Sequence, residues 1–366
     1  MTSFPSRIVK WQRGHGRHGL PWQGTRDAYR IWLSEIMLQQ TQVSTVIPYY
    51  ERFLARFPTV SELAQADDDE VMRHWSGLGY YARARNLHRA ARDVVERFGG
   101  VFPGTFEALV TLPGIGRSTA SAIAAFSSGE RRAILDGNVR RVLARHAGIG
   151  GSPSSAPVRE ALWAAAESRL PRKDIEAYTQ GMMDLGADVC LPRAPICLLC
   201  PVSADCVARN EDRIAELPGR KARLAARRRR IAMLVVVRGR EVLLEKRAPS
   251  GIWGGLWSLP EAPADEAPGT VLERDWGLAA AEAHPLAPFE HAFTHFTLEV
   301  APWRIRLAPT ANRPPPGANR PSMWLPLDEV KGAALPSPVK KLLSSLTPAS
   351  AAAGSDGGSP GARRRR

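Results

Sequence analysis

Two hydrophobic periodicities divide the chain. From Asp27 to about Arg209, apolar residues recur at spacings of three and four, with breaks at Pro48, Pro58, Pro103, Pro113 and Pro171. That pattern predicts a succession of amphipathic helices and an all-α domain over residues 1–212. Past a basic stretch the period shortens. Ile231 to Val237 reads as a buried strand, Arg238-Gly239-Arg240 as a turn and Glu241 to Arg247 as a second strand, so a second, α+β domain is expected over residues 231–347. Within it, Thr297 to Leu307 is strand-like, Asn312 to Pro321 is a proline-rich loop, and Val339 to Leu346 predicts a closing amphipathic helix. Residues 213–230 predict a basic linker, and residues 348–366, mostly Ala, Ser, Gly and Arg, a disordered tail. No internal repeat is visible.

Composition alters this picture in one respect. The 366 residues carry a formal net charge of +14 and a pI near 10.3, which points toward nucleic acid. Yet seven basic residues lie between Arg220 and Arg230, and four more are Arg363 to Arg366. Subtracting those eleven from fourteen leaves a body of only about +3, so a basic face must come from the placement of charges rather than their total. No apolar run reaches the length of a membrane span. Nothing in the sequence signals an oligomer, and a monomer is expected.

All four cysteines fall in one stretch, Cys190, Cys197, Cys200 and Cys206, spaced C-x6-C-x2-C-x5-C. Met1 to Lys10 carries no apolar signal segment, so reduced thiols and a cytoplasmic location are expected. Four thiolates with no neighbouring histidine suit an all-cysteine zinc site or a [4Fe–4S] cluster. One CxxC rather than two, with Pro192, Pro195 and Pro201 among the ligands, fits the cubane better.

Two carboxyls stand in contrasting contexts. Glu35 is embedded in Ile31-Trp32-Leu33-Ser34-Glu35-Ile36-Met37-Leu38, where burial raises a carboxyl pKa and keeps the acid protonated, as a general acid requires. The alternative is a glutamate at the mouth of the bundle or paired with a buried arginine. Asp136 precedes Gly137-Asn138 and a helical run; as an N-cap it accepts backbone N–H bonds that lower its pKa and hold it ionised. It is read either as a cap alone or as half of a carboxyl pair suited to cleaving a glycosidic bond. Between them, Leu112-Pro113-Gly114-Ile115-Gly116-Arg117-Ser118-Thr119-Ala120 joins two helical runs. Gly114 and Gly116 permit positive φ and close backbone approach, and the N–H groups opening the second helix form an anion site suited to a DNA phosphate.

These residues carry a resemblance. Leu112 to Ala120 resembles the helix-hairpin-helix of the base-excision DNA glycosylase superfamily, Asp136 falls where that superfamily keeps an aspartate, and the cysteine spacing is similar to its cluster loop. Trp32 to Gln42 and Gly77-Leu78-Gly79-Tyr80-Tyr81-Ala82-Arg83-Ala84-Arg85-Asn86 resemble the MutY-type adenine DNA glycosylases in particular. Similarity runs from about Trp11 to Leu346. The resemblance implies double-stranded DNA with adenine opposite 8-oxoguanine or guanine as substrate, and a [4Fe–4S] cofactor on the four cysteines. Glu35 would be the acid that protonates adenine, Asp136 the carboxylate that stabilises the sugar cation. Gln40 and Tyr80 would be wedges, with Thr41, Leu78, Gly79, Gly114, Gly116, Ser118 and Asn138 beside them at the DNA. Trp22 lines the base pocket or packs. The endonuclease III branch has lysine where this chain has Ser118, which implies a monofunctional enzyme using water rather than an amine. Replication or mismatch-repair proteins remain open as partners.

The second domain resembles the family's Nudix-like domain through Leu243 to Arg247 and Gly251 to Glu261. Adjacent glutamates are missing around Glu273-Arg274-Asp275-Trp276-Gly277, which implies binding without hydrolysis. Phe293-Thr294-His295 stands where the family senses 8-oxoguanine with Phe-Ser-His. A lyase for oxidised pyrimidines and a non-enzymatic mismatch-binding protein are the competing functions.

Overall fold

The computed structural model describes residues 2–219, 227–293, 295–308 and 321–346, and the chain divides into two units after Ala225. The first unit is helical: α1 Phe4–His15, α2 Ala28–Leu38, α3 Val43–Arg56, α4 Val60–Gln65, α5 Asp68–Trp75, α6 Ala82–Phe98, α7 Phe106–Leu109, α8 Arg117–Ser127, α9 Gly137–His146, α10 Ala156–Ser168, α11 Ile175–Asp184 and α12 Val207–Asn210. A wider turn of π type, Leu185–Val189, continues α11 toward the cysteines.

Local chemistry explains the ends of the helix that carries Glu35. The Asp27 carboxylate accepts the Tyr29 N–H at 2.9 Å and caps α2, as an orphan first-turn donor requires. Seven residues of α2 are buried, among them Trp32, Leu33 and Met37, so its stability comes from packing on all sides rather than from one apolar stripe. Trp32, Tyr50, Phe53, Phe57 and Trp75 are fully buried nearby, each stabilising the unit by about 2–3 kcal/mol by burial alone.

Two features of the helical unit depart from the periodicity. A helix precedes Asp27: α1 is capped by Ser3 and packs through Ile8 and Val9 into the same cluster as Tyr178, Met182 and Leu185. Pro48 lies inside α3 rather than ending it. Proline removes one helical hydrogen bond, and the burial of Val46, Tyr50 and Phe53 on that helix outweighs the loss.

The second unit is an eight-stranded mixed sheet: β1 Arg227–Arg238, β2 Glu241–Lys246, β3 Trp257–Ser258, β4 Glu261–Pro263, β5 Ala280–Pro285, β6 Phe289–Ala292, β7 Phe296–Leu307 and β8 Ser322–Pro326, with helices α13 Pro268–Trp276 and α14 Ser337–Leu346. The central path is β3-β2-β1-β7-β5. Strands β1 and β7 run parallel from Arg227 opposite Phe296 to Val237 opposite Arg306. Ala232, Leu234 and Val236 on one face of β1 share a core with Val271, Leu272 and Trp276 of α13, as alternation along a strand dictates. The basic run does not end as a linker at residue 230. Arg227 to Arg230 are paired strand, because Glu299 on β7 accepts from both Arg228 and Arg230 and offsets their crowding. The proline-rich loop (apart from Pro321) and the tail from residue 348 lie outside the described residues.

One prediction follows from the hairpin between α7 and α8. Gly114 has φ +79°, and a Cβ there would meet Asn86 Cβ at 2.8 Å, whereas Gly116 has ordinary φ and open space. Only one of the two glycines uses its conformational freedom. Gly114→Ala should lower stability by about 1–3 kcal/mol and Gly116→Ala by a few tenths, measured by urea unfolding; equal effects would contradict this.

Candidate active site

A cleft of about 1460 Å³ opens in the helical unit, lined by Glu35 and Ser34 of α2, Ser118 and Thr119 of α8, Asp136, Asn138 and the buried Trp22. Trp22 meets the Tyr50 ring edge-on at 5.4 Å, so it packs and lines the cleft at once. The fold therefore brings Glu35, Asp136, Ser118, Asn138, Thr41 and Trp22 to one cavity. Gln40, Leu78, Gly79, Tyr80, Gly114 and Gly116 are not among its walls. Phe293 and His295 belong to the second unit, and Thr294 lies outside the described residues.

Electrostatics separate the two carboxyls. Glu35 has its head at the cleft while protein surrounds the rest, and desolvation, reinforced by the charge of Asp136, pushes its pKa up to about 8. A fully aqueous glutamate would be ionised at neutral pH; this one is mostly neutral. Asp136 caps α9: Oδ1 accepts the Asn138 N–H at 2.7 Å and the Val139 N–H at 2.8 Å. Its pKa is nevertheless raised, because desolvation exceeds the lowering by those two bonds and by Arg141 and Arg140. The expectation that capping alone would depress it is corrected: burial wins. The charge of Asp136 raises Glu35 further, whereas two backbone N–H groups and the cations Arg141 and Arg140 favour the ionised form of Asp136.

Neighbouring groups hold this pair in place. The Ser118 hydroxyl accepts the Leu135 N–H at 2.9 Å, fixing the backbone just before Asp136. Asn138 Oδ1 accepts from Arg141 Nη2 at 2.9 Å, and Arg141 Nε donates to the Cys190 carbonyl at 2.7 Å. Gly186 lets the π turn press on this segment, since a Cβ there would come within 2.6 Å of Asn138 Cβ. A chain of hydrogen bonds thus runs from the Asp136 cap to the first cysteine.

The four cysteines line one small cavity with Val142, Leu185, Val189 and Val202. Arg145 is buried, donates to the Leu191 and Pro192 carbonyls, and has Nη1 3.4 Å from Cys190 Sγ. Burial pushes the Cys200 thiol up to about 11 and raises Cys206 as well. The chemistry of the set, four thiols lining one cavity with the Arg145 guanidinium beside Cys190, fits a thiolate-held metal group.

Arg83 was not singled out by the sequence reading. It is 8% exposed, and its guanidinium donates to the Ile36 and Met37 carbonyls ending α2 and to the Leu78 and Gly79 carbonyls. Burial pulls its pKa down to about 10, so it stays charged. The signal was present: Arg83 falls on the apolar stripe of α6 with Leu87, Ala91 and Val94, where an unpaired cation would be costly. In the second unit, the Phe293 ring stacks on Phe296 at 4.6 Å and packs against Trp253 and His291.

The raised Glu35 pKa has a stability consequence. A carboxyl whose folded pKa lies above its unfolded value favours the folded state when protonated; that contribution is fully present below the ordinary value of 4.5 and is lost progressively as pH rises to about 8. Glu35→Gln should therefore raise the melting temperature by several degrees above about pH 8 and change it little near pH 5. Thermal melts of both proteins across that range check this; a parallel shift at all pH values would contradict it.

Comparison with known proteins agrees with this geometry. Residues 33–168 match the family described as "HhH-GPD superfamily base excision DNA repair protein" and residues 232–345 the "NUDIX domain". Adenine DNA glycosylase of Buchnera aphidicola from Acyrthosiphon pisum is 34% identical over 94% of this chain and 97% of its own. The human adenine DNA glycosylase is 33% identical over 93% of this chain and 73% of its own. Among solved structures, a thermostable thymine-DNA glycosylase superposes with a TM-score of 0.52 at 30% identity, over 57% of this chain and 95% of that one. With a helix-hairpin-helix unit carrying the paired carboxyls and a Nudix unit after it, the chain belongs to the adenine DNA glycosylase family.

Proposed function

We propose that this protein is a monofunctional adenine DNA glycosylase that flips adenine out of A:8-oxoguanine and A:G mispairs and removes it with water. The observation that carries the reading is the pair of carboxyls at one cleft, with Glu35 pushed up to about 8 beside Asp136, whose ionised form is favoured by two backbone N–H groups. Extrusion costs a few kcal/mol of unstacking. In the cleft, neutral Glu35 gives its proton to adenine N7, the C1′–N9 bond breaks with its electron pair going to the base, and the sugar becomes an oxocarbenium ion. The Asp136 carboxylate stabilises that cation. Water then adds to C1′, its proton passing to the Glu35 carboxylate, which restores the acid. Ser118 offers a hydroxyl already engaged by the Leu135 N–H, not an amine, so no Schiff base forms and the strand stays intact.

The DNA-contacting roles rest on position. Gly114 and Gly116 open α8, whose first N–H groups suit a phosphate; Gln40 and Tyr80 sit at exposed, left-handed positions with φ +58° and +49°. The cysteines would hold a [4Fe–4S] cluster, which supplies a rigid fold for the loop and no reaction step. In the second unit, Phe293 and His295, with Thr294 between them, would read the base opposite adenine. Arg274 of α13 pairs with Glu266 and Asp275, and the segment Glu273-Arg274-Asp275 lacks the adjacent glutamates a hydrolase needs, which supports a reading domain.

Single-turnover excision on duplexes with adenine opposite 8-oxoguanine, guanine or thymine tests the reading. Adenine should be released from the first two, with strand breaks only after alkali, and Glu35→Gln should be slower by about 10²–10⁴-fold. Tight binding with no release would leave a mismatch-binding protein instead. The rate should also fall as pH rises through about 8, because Glu35 must be protonated; a rate flat from neutrality to pH 9 would contradict the acid assignment. Separately, protein purified without oxygen should contain about four irons and four sulfides per chain, and Cys200→Ser should lose them. One zinc per chain in place of iron would contradict the cluster.

A further inference from the structure

A single guanidinium joins three stretches of chain that the hydrophobic pattern treats as separate. Arg83 Nη1 donates to the Ile36 and Met37 carbonyls, each at 2.8 Å. Nη2 faces Thr41 Oγ1 at 3.2 Å, the Leu78 carbonyl at 3.2 Å and the Gly79 carbonyl at 3.3 Å. Thr41 follows Gln40 and Gly79 precedes Tyr80 in sequence. Gln40 and Tyr80 are two of the five non-glycine residues with positive φ among the described residues, a conformation that costs about 1–3 kcal/mol each and persists only where neighbours hold it. The Tyr80 ring is 49% exposed, yet its centroid lies 5.6 Å from the same guanidinium, and its carbonyl accepts the Arg83 backbone N–H at 2.8 Å.

We propose that Arg83 is a positioning residue that locks Gln40 and Tyr80 into one rigid two-pronged wedge referenced to the end of α2, so that both prongs enter the duplex together when the base leaves it. The proposal rests on the DNA reading above and goes beyond it. Five acceptors in a planar fork are a geometry only arginine satisfies. Lysine keeps the charge that complements the C-terminus of α2 but supplies a point donor that cannot reach all three stretches. Arginine here acts through the two wedge residues and touches no reacting atom.

The test compares wild type, Arg83→Lys, Tyr80→Ala and the double variant, each checked for native melting and iron content. Two substrates are used: a fully stacked A:G duplex, and one in which the target adenine already lies in an unpaired bubble. Fluorescence of 2-aminopurine at the target position reports extrusion. Arg83→Lys should reduce extrusion and single-turnover release on the stacked duplex by about tenfold or more, with release from the bubble nearly unchanged. In the Tyr80→Ala background the same substitution should add little, since coupled residues do not add. Equal losses on both substrates, or fully additive effects, would overturn the proposal and assign Arg83 to the stability of α2. Should Arg83→Lys fail to fold, Arg83→Gln, a shorter planar donor, must show the same preference for the bubble. A wild type that releases no adenine from either substrate would instead refute the glycosylase reading, and extrusion would still report on the wedge.

Discussion

Desolvation of one carboxyl sets the requirements that the rest of the helical unit meets. Glu35 has to be surrounded by protein to remain protonated near neutrality, and every residue around it on α2 from Ile31 to Met37 is buried. A glutamic acid in such a place invites either an arginine that would ionise it or water that would level its pKa. Trp32 and Leu33 are fully buried beside it on the same helix, and the buried cation Arg83 is engaged by the Ile36 and Met37 carbonyls in the last turn of α2. The neighbouring charge is a carboxylate, and its sign pushes Glu35 in the direction that burial already favours.

Holding that second charge is itself costly, and the surrounding hydrogen bonds show how it is met. Asp136 is desolvated but caps α9 with two short N–H contacts. Ser118 holds the preceding peptide, and Arg141 ties the same helix to the cysteine loop. The cysteine segment thereby supports the carboxylate through backbone and side chain without approaching the cleft. In the proposed reaction this support from the loop would hold the two acids in place, which acid–base work on a sugar demands more than affinity does.

Much of this was legible in the sequence because it is local. Helix period, the switch to strands after residue 230, the carboxyl among large apolar groups and the cysteine spacing are each written in a short continuous stretch of sequence. Tertiary competition decided what was not. Pro48 stays helical because buried neighbours outweigh a lost bond, and Arg227 to Arg230 join β1 because Glu299, some seventy residues away, neutralises them. The pKa of Asp136 could not be read from its cap, since burial by the rest of the unit reverses the local effect. Arg83 shows in the sequence only as a cation on the apolar stripe of α6; its acceptors, carbonyls on other segments, are not written there.

Glu35 is a neutral acid at neutral pH because protein and Asp136 both oppose its charge. Carbon-13 NMR of glutamate-labelled protein, with Glu35→Gln to assign the signal, titrates that carboxyl directly. The account predicts a midpoint of about 8 in the wild type, falling in Asp136→Asn but staying above the ordinary glutamate value, because desolvation is the larger cause. A midpoint near 4.5 in the wild type, or one that Asp136→Asn leaves unmoved, would contradict it.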